Sequence, residues 1–261
     1  MSRGAPNPQV LSRLFLEAVL PCLADLSCED PAARAILGNA RGSIALRVLG
    51  GPGAVVTFNE GRIAWSLVSP SWPSVTLLFF SYSHLNAFFG GAAWAVPLPI
   101  WGGWRVGLLA RFAKLAERLE AVMNGHPEVL ADFNGRRLYA RLSLIAAGLG
   151  LAPLAAGDRE AIGLLESLPP GLAAFRIEGE PNSSVWFDSA ATPCVSGWSE
   201  PPRRPDVCIV FGSVELAYAA MRDEADTMAA IGAGEMSIDG LIPLADGLNV
   251  VMERLRVYLQ P

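Results

Sequence analysis

Residues 234–255, GEMSIDGLIPLADGLNVVMERL, decide the fold because their pattern occurs twice in the chain. An alternating segment and a glycine precede an amphipathic helix here, and residues 99–119, PIWGGWRVGLLARFAKLAERL, have the same order. In both helices the apolar residues are spaced 4, 3, 4 and 3 apart, which places them on one helical face. They are Leu108, Phe112, Leu115, Leu119 and Val122 in the first helix and Leu244, Leu248, Val251, Leu255 and Tyr258 in the second. Two such stripes in register indicate an internal repeat.

The repeat extends over most of the chain. Residues 9–30, QVLSRLFLEAVLPCLADLSCED, align with residues 137–158, RLYARLSLIAAGLGLAPLAAGD, and Asp30 falls on Asp158. RVLGGPGAVVTF (47–58) then aligns with RIEGEPNSSVWF (176–187). Asn124-Gly125 followed by His126-Pro127 is typical of a helix end. We therefore predict one unit at residues 1–123, a linker at 124–135 and a second unit at 136–261.

Each unit is predicted to contain helices, a run of strands and then helices, which is an α+β fold with the helices on one side of the sheet. Asp30-Pro31 predicts a helix start in the first copy, and Ser213 predicts one in the second. Gly, Pro and Asn clusters separate the strand segments, as in an antiparallel meander. These segments are SIALRVL, AVVTF, RIAWSLV and SVTLLFF in the first copy and LAAFRIE, SSVWF, PCVSGW and DVCIVF in the second.

The second copy resembles the sterol carrier protein type 2 domain family. One carrier of the resemblance is DVCIVFGSVE (206–215), a strand that leads into a helix. The other is DTMAAIGAGEMSIDG (226–240), where the family spacing is matched by Asp226, Ala230, Ile231, Gly234, Glu235, Met236, Ile238 and Gly240. The resemblance implies two tandem units, each a curved sheet of about five strands covered by helices. It also implies an apolar tunnel in each unit for a sterol, a fatty acyl chain or a similar lipid, and it implies no catalytic chemistry.

The first copy departs from this pattern at its last strand. Ile100 and Gly102 align with Ile238 and Gly240, but the earlier glycine is replaced by Val96. Pro97 and Pro99 also remove backbone donors from the strand. We expect this strand to be a sheet edge or distorted.

The resemblance predicts a set of tunnel-lining residues on the terminal helix, the strands and the preceding helix of each unit. In the first unit they are Phe79, Leu85, Phe88, Phe89, Trp101, Trp104, Leu108 and Phe112. In the second they are Phe211, Tyr218, Met221, Met228, Met236, Leu244 and Leu248, where flexible methionines suit a loosely defined ligand. The alternative for each residue is ordinary core packing.

Four tryptophans crowd into a short part of the first copy, beside Gly90-Gly91 and Gly102-Gly103; they are Trp72, Trp94, Trp101 and Trp104. Indoles suit an apolar–polar boundary, so one hypothesis is a mobile lid that touches membrane or ligand. The other hypothesis is an interface between the two copies.

Composition restricts the partners. The chain is 52% hydrophobic and 17% charged, with a net charge of −5 and no Lys/Arg-rich block, so we expect no nucleic-acid partner. Transient membrane contact and a homodimer are both compatible with the apolar excess. The apolar run near the start contains Glu17 and Asp25, unlike a secretion signal, so a cytoplasmic location is expected. Residues 142–156 are too short for a membrane span, and a buried helix is expected there.

Residue types with catalytic or metal-binding chemistry show no recognisable pattern. His84 and His126 lie far apart in sequence without a second ligand at metal spacing. The four cysteines form no CxxC pair, and we expect reduced, buried thiols. Gly50-Gly51-Pro52-Gly53 lies between two strand segments, which favours a hairpin turn over a phosphate loop. We expect no metal, no cofactor and no enzymatic activity.

The resemblance and the apolar excess lead to two hypotheses about function. The first is a non-catalytic lipid-binding or lipid-transfer protein that holds an apolar ligand in an internal tunnel. The alternative is a protein–protein interaction module with filled pockets that serves lipid or quinone metabolism.

Overall fold

The chain folds into two compact units. The computed structural model describes residues 6–67, 72–181 and 183–259. The first unit is Pro8–Asn124, and the second begins at Gly125 and includes Asn7 from the start of the chain. Asn124 ends a helix and Gly125 has a positive φ of 63°, as the sequence predicts for this helix end. The predicted linker at 124–135 is partly helical, because a short helix and the start of a long one lie within it.

In the first unit, helices flank a five-stranded sheet. The helices are α1 (Pro8–Leu14), α2 (Cys22–Glu29), α3 (Pro31–Leu37), α4 (Tyr82–Phe89) and α5 (Val106–Met123), with a π-helical turn at Phe15–Val19. The strands are β1 (Arg41–Val48), β2 (Gly53–Asn59), β3 (Arg62–Ser66), β4 (Val75–Phe79) and β5 (Leu98–Trp101). Val68, at the end of the third predicted strand, lies outside the described residues.

The second unit has a similar order of elements, with two additional short helices and one long helix in place of α1, the π-helical turn and α2. Its helices are α6 (Pro127–Leu130), α7 (Phe133–Gly157), α8 (Arg159–Glu166), α9 (Val214–Met221), α10 (Thr227–Gly232) and α11 (Ile242–Leu259). Its strands are β6 (Leu172–Ile177), β7 (Val185–Asp188), β8 (Val195–Trp198), β9 (Val207–Phe211) and β10 (Met236–Gly240). Ser213 caps α9 by accepting a hydrogen bond from the backbone N–H of Leu216, as predicted.

The two sheets have the same topology. The strand order is β3-β2-β1-β4-β5 in the first and β8-β7-β6-β9-β10 in the second. In both, the two central strands run parallel and the other neighbours run antiparallel. The predicted antiparallel meander is therefore wrong at the centre, where β4 pairs with β1 and β9 with β6. Central parallel strands are buried on both faces and read as continuous apolar runs, which fits SIALRVL and SVTLLFF better than alternation does.

Strand β5 is a distorted edge, as the sequence predicts. It pairs only with β4, and the register shifts between Thr76 and Leu77. Leu77 lies opposite Pro99, whereas the equivalent Ile209 lies opposite Ile238. Pro99 is thus the counterpart of Ile238, and Ile100 is an additional residue in the bulge. This corrects the sequence alignment, because identity alone had matched Ile100 to Ile238.

An ion pair joins the same two helices in each unit. In the first, Arg118 Nε of α5 donates to Asp30 Oδ2 at 2.7 Å, and Asp30 also caps α3. In the second, Arg254 Nη2 of α11 donates to Asp158 Oδ2 at 2.8 Å, and Asp158 caps α8. Both pairs fall on residues that the repeat aligns. The same kind of ion pair therefore fixes α5 to the start of α3 in the first unit and α11 to the start of α8 in the second.

A glycine lies at the end of the last strand of each unit for the same steric reason. Gly102 and Gly240 have positive φ angles of 70° and 112°. A Cβ on Gly102 would lie 1.9 Å from the carbonyl oxygen of Ser74, and one on Gly240 would lie 2.1 Å from that of Asp206. No side chain fits at such distances, so the glycine that the family spacing contains is required by the close approach of two backbones.

The terminal helices bury the predicted stripes. All five residues of each stripe are buried, at intervals that match the prediction. The long helix α7 packs against α9, β7 and β8 and continues through Pro153. It is long and apolar enough to cross a membrane by length and composition, but 72% of its most apolar window is buried inside the fold. A core helix has the same properties.

Candidate functional site

Strand β5 and the segments beside it expose a series of large apolar side chains. We call this surface the apolar edge, and its members are Phe80, Trp94, Val96, Leu98, Ile100, Trp101, Trp104 and Val106. Each is between 46% and 72% exposed. Most lie on one continuous stretch of chain, and the rings of Trp101 and Trp104 meet edge to face with centroids 5.4 Å apart. Apolar patches of this kind mark sites of membrane, ligand or protein contact.

An aromatic stack holds one end of the apolar edge in place. The ring of His84 lies between Phe80 and Trp94, with centroid distances of 5.7 and 6.1 Å and nearly parallel planes. The Nδ1 atom of His84 accepts a hydrogen bond from the backbone N–H of Phe80 at 3.3 Å, which fixes the ring on helix α4. His84 therefore helps to position the aromatic side chains at this end of the apolar edge.

A surface hollow of about 400 Å³, which we call the arginine hollow, lies at the other end of the apolar edge. Its lining comes from the start of β1 and the start of α5: Ala40, Arg41, Trp104, Arg105, Val106, Gly107, Leu108 and Arg111. Three arginines thus meet in one hollow beside an exposed tryptophan. The hollow is open to solvent, so its arginines are accessible to a ligand.

Arg105 occupies space that Gly42 leaves free. A Cβ on Gly42 would lie 2.8 Å from Nη1 of Arg105 and 2.9 Å from Oγ of Ser74. The backbone N–H of Ser43 donates to the same Ser74 hydroxyl at 3.1 Å. Within the described ranges, neither Arg105 nor Arg111 has an ion pair, whereas Arg41 pairs with Glu60. Two of the three guanidinium groups therefore have no counter-charge.

The equivalent position of the second unit has the opposite character. There Asp206 replaces Ser74, and its Oδ2 atom accepts hydrogen bonds from Leu172 N–H at 2.7 Å and Arg203 Nη1 at 2.8 Å. The hydrogen bond from Leu172, together with the Arg203 guanidinium, holds the pKa of Asp206 below its usual value. The carboxylate pairs with Arg203, so this position of the second unit holds a negative charge where the first unit has a neutral serine.

Most of the predicted tunnel residues are packed into the cores. Eight of the fifteen are buried: Phe79, Leu85, Leu108, Phe112, Phe211, Met236, Leu244 and Leu248. Phe88 is partly buried, and its ring contacts that of Phe79. Phe89 stacks on Phe15 with centroids 4.8 Å apart, and Tyr218 meets Tyr139 edge to face. Met221 is partly exposed at the end of α9. The assignment of these residues to a tunnel stays a prediction.

Three predicted tunnel residues lie on the surface instead. Trp101 and Trp104 belong to the apolar edge, and Met228 is 77% exposed on α10. Their apolar character suggested the interior, but an edge strand and a short outlying helix leave one face without a neighbouring element. Of the fifteen residues, Trp104 and Leu108 line the arginine hollow.

The predicted tunnel is not observed among the described residues. Besides the arginine hollow, a second one of about 350 Å³ is lined by residues of β1 and β2, the turn between them and Leu67. No helix contributes to that lining, so this hollow does not lie between the sheet and its helices. Both hollows are surface features of the first unit.

The arginine hollow was missed in the sequence analysis. Arg41, Ser74 and Arg105 are far apart in the chain and come together because β1 pairs with β4 and α5 starts beside them. One signal was present: residues 102–108 are two residues longer than their counterpart, 240–244, and the additional residues include Trp104-Arg105.

The cysteines and histidines offer no second site. Cys22 is buried, and burial raises the pKa of its thiol, which makes it unreactive. Cys28 is exposed, contrary to the expectation of four buried thiols, and Cys194 and Cys208 are half-buried; none of the four forms a disulfide. Among the described residues, no group of three or more His, Cys, Asp and Glu side chains is placed to hold a metal ion.

Comparisons with known proteins give structural neighbours only. No protein-family model matches the chain, and no curated protein matches it. The solution structure of sterol carrier protein domain 2 of Helicoverpa armigera is similar with 18% identity and a TM-score of 0.34, over 43% of this chain and 87% of that one. Apo sterol carrier protein 2 of Yarrowia lipolytica is similar with 12% identity and a TM-score of 0.32, over 41% and 90%. Each match spans less than half of this chain.

Proposed function

We propose that this chain is a non-catalytic lipid-binding protein, built from two tandem sterol-carrier-like units, that contacts lipid through the apolar edge of its first unit. The exposed apolar side chains along β5 carry this proposal. Several of them are tryptophans, which favour the boundary between hydrocarbon and water. The common strand order, ion pair and close-packed glycine of the two units support their origin by duplication.

Comparison of the two units shows that the fold does not require an apolar edge. Leu98 and Trp101 of β5 occupy the outward positions that Ser237 and Asp239 occupy in β10. All four side chains are exposed. The same architecture therefore tolerates polar residues at this edge, and the apolar residues of the first unit need a functional explanation.

Charge complements this surface. Residues 8–124 carry nine Lys and Arg against seven Asp and Glu, whereas the rest of the chain carries eleven against eighteen. A positive first unit in a chain of net charge −5 favours contact with the anionic surface of a lipid bilayer. Charge and apolar exposure thus favour the same unit.

An internal tunnel in each unit stays a prediction. Eight of the side chains that would line it are buried, so a ligand would have to displace them to enter. A ligand that does so would open space beside Leu108 or Leu244. The substitutions Leu108→Trp and Leu244→Trp would then abolish uptake of a soluble lipid without affecting contact at the apolar edge.

The alternative, a protein-interaction module, is favoured by the packed cores together with the open strand β5. An edge strand with free backbone groups can pair with a strand of another chain. In that case the apolar edge would be covered by protein and would not bind lipid.

Native mass spectrometry after incubation with lipid vesicles separates the two functions. The proposal predicts a monomer that carries lipid adducts, and the alternative predicts a lipid-free oligomer. Replacing Trp101 and Trp104 with Ser should remove the adducts. The matched control replaces Met228 and Val250 of the second unit, which are also exposed and apolar, and should keep them.

A further inference from the structure

We propose that the arginine hollow of the first unit is a phosphate-binding site that docks this protein on the headgroups of anionic phospholipids. This inference rests on the proposed lipid-binding function and deepens it by naming the class of lipid. The site consists of Arg41, Arg105 and Arg111, with Trp104 at its rim.

The chemistry of the hollow suits a phosphate. Guanidinium groups bind phosphate oxygens with paired, charge-assisted hydrogen bonds. Arg105 and Arg111 have no counter-ion among the residues that the structure describes, so both are available for an external anion. The hollow also borders the first turn of α5, whose positive helix end adds to the field of the arginines.

The second unit shows that these charges are particular to the first. By the alignment of the repeats, Arg41 corresponds to Pro170, Arg111 to Gly247 and Ser74 to Asp206. Arg105 lies in the segment that is two residues longer in the first copy. The second unit therefore has a carboxylate at the position of Ser74, whereas the first unit has a serine there and, among the described residues, arginines without an ion pair beside it.

The neighbours of the hollow identify a lipid as the source of the phosphate. Trp104 lines the hollow, Trp101 contacts Trp104, and Val106 is exposed beside them. Exposed indoles would contribute nothing to the binding of a free phosphate. A phospholipid, in contrast, presents a phosphate and hydrocarbon within a few ångströms of each other. Tryptophans at the headgroup level and arginines on the phosphates are a favourable combination at a bilayer surface.

The test is co-sedimentation of the full chain with vesicles of phosphatidylcholine alone and of phosphatidylcholine mixed with phosphatidylglycerol. The wild type should partition more strongly onto the anionic vesicles. Arg105→Gln with Arg111→Gln should reduce that partitioning about tenfold to thirtyfold, since each basic side chain at an anionic surface contributes roughly fivefold. Ser74→Asp, which copies Asp206, should reduce it about fivefold without removing an arginine, since it changes the net charge of the hollow by one.

A charge-matched control distinguishes a site from general attraction. Arg34 and Arg159 are exposed and have no ion pair among the described side chains, so Arg34→Gln with Arg159→Gln makes the same change in net charge elsewhere. This control should bind anionic vesicles like the wild type, and an equal loss would overturn the site. Circular dichroism and thermal unfolding confirm that each variant is folded.

The remaining outcomes separate this inference from the function on which it rests. Lipid adducts in native mass spectrometry, combined with equal partitioning onto both kinds of vesicle, would overturn the phosphate site and leave lipid binding in place. Saturable calorimetric binding of inorganic phosphate at the hollow, without preference for anionic vesicles, would overturn the assignment to a headgroup. The absence of both adducts and vesicle binding would overturn both proposals.

Discussion

Arg254 Nη2 donates a hydrogen bond of 2.8 Å to Asp158 Oδ2, across 96 residues of sequence. The Tyr258 hydroxyl donates to the same oxygen at 2.6 Å, and the backbone N–H of Ala161 donates to Oδ1. Both members of the ion pair are buried. The pair fixes the terminal helix α11 against the start of α8, the same relationship that Arg118 and Asp30 provide in the first unit.

Removal of the Asp158 carboxylate should be strongly destabilising. Asp158→Asn leaves the buried guanidinium of Arg254 without its full counter-charge, and breaking a buried pair costs about 3–5 kcal/mol. Asp30→Asn is the matched variant, and it should cost less, about 1–3 kcal/mol, because Arg118 is partly exposed. Urea unfolding of both variants measures the difference. Equal costs would show that burial of the arginine does not set the size of the effect.

Stability should fall in acid through Asp158. Burial alone would raise its pKa, but hydrogen bonds from Arg254, Tyr258 and Ala161 outweigh burial and hold the pKa below its usual value. A depressed folded-state pKa gives stability that is present above the unfolded value and lost as pH falls through the folded value. The free energy of unfolding should therefore decline below about pH 4. Asp158→Asn should flatten this part of the pH profile, and an unchanged slope would assign the acid sensitivity to other carboxylates.

The glycine that ends strand β10 should not tolerate a side chain. Gly240→Ala places a methyl group against the carbonyl oxygen of Asp206 at a positive φ, so we expect a loss of about 2 kcal/mol or more. Gly163 is a helical glycine in α8 with open space around it. Gly163→Ala should be neutral or stabilise by about 0.5–1 kcal/mol. Thermal unfolding compares the two, and similar melting temperatures would contradict the steric role of Gly240.

Core packing at Leu244 separates a filled unit from a hollow one. Leu244→Ala should cost about 2–5 kcal/mol if the side chain is as well packed as its burial indicates. Val250→Ala on the same helix is half exposed and should stay within about 0.5 kcal/mol. A cost for Leu244→Ala close to that of the control would mean that Leu244 borders unfilled space, and would favour the tunnel.

Local patterns were readable from the sequence because they depend on neighbours along the chain. The stripes on α5 and α11, the caps at Asp30 and Ser213 and the edge character of β5 follow from helical spacing, capping chemistry and proline. Strand order could not be predicted from the sequence, because apolar strand segments separated by turns are compatible with both a meander and a sheet with parallel central strands. The bulge at Ile100 depends on that order, so its register could not be predicted either.

The candidate site was only half predictable for the same reason. Trp101 and Trp104 attracted attention as residue types, but whether they lie inside or outside depends on what covers β5. Arg41, Ser74 and Arg105 meet through strand pairing, and no spacing in the sequence connects them. The two-residue insertion that includes Trp104-Arg105 was visible in the sequence. An alignment of the repeats that matched both Gly102 with Gly240 and Leu108 with Leu244 would have found it.

Quenching of tryptophan fluorescence by vesicles with brominated acyl chains tests lipid contact at the apolar edge most directly. Bromine quenches only indoles that reach the hydrocarbon, and Trp94, Trp101 and Trp104 are exposed on this surface. We predict clear quenching of the wild type and its near loss when these three residues are replaced with Phe in a protein that remains folded. Undiminished quenching in that variant, or none in the wild type at saturating lipid, would contradict contact between this edge and lipid.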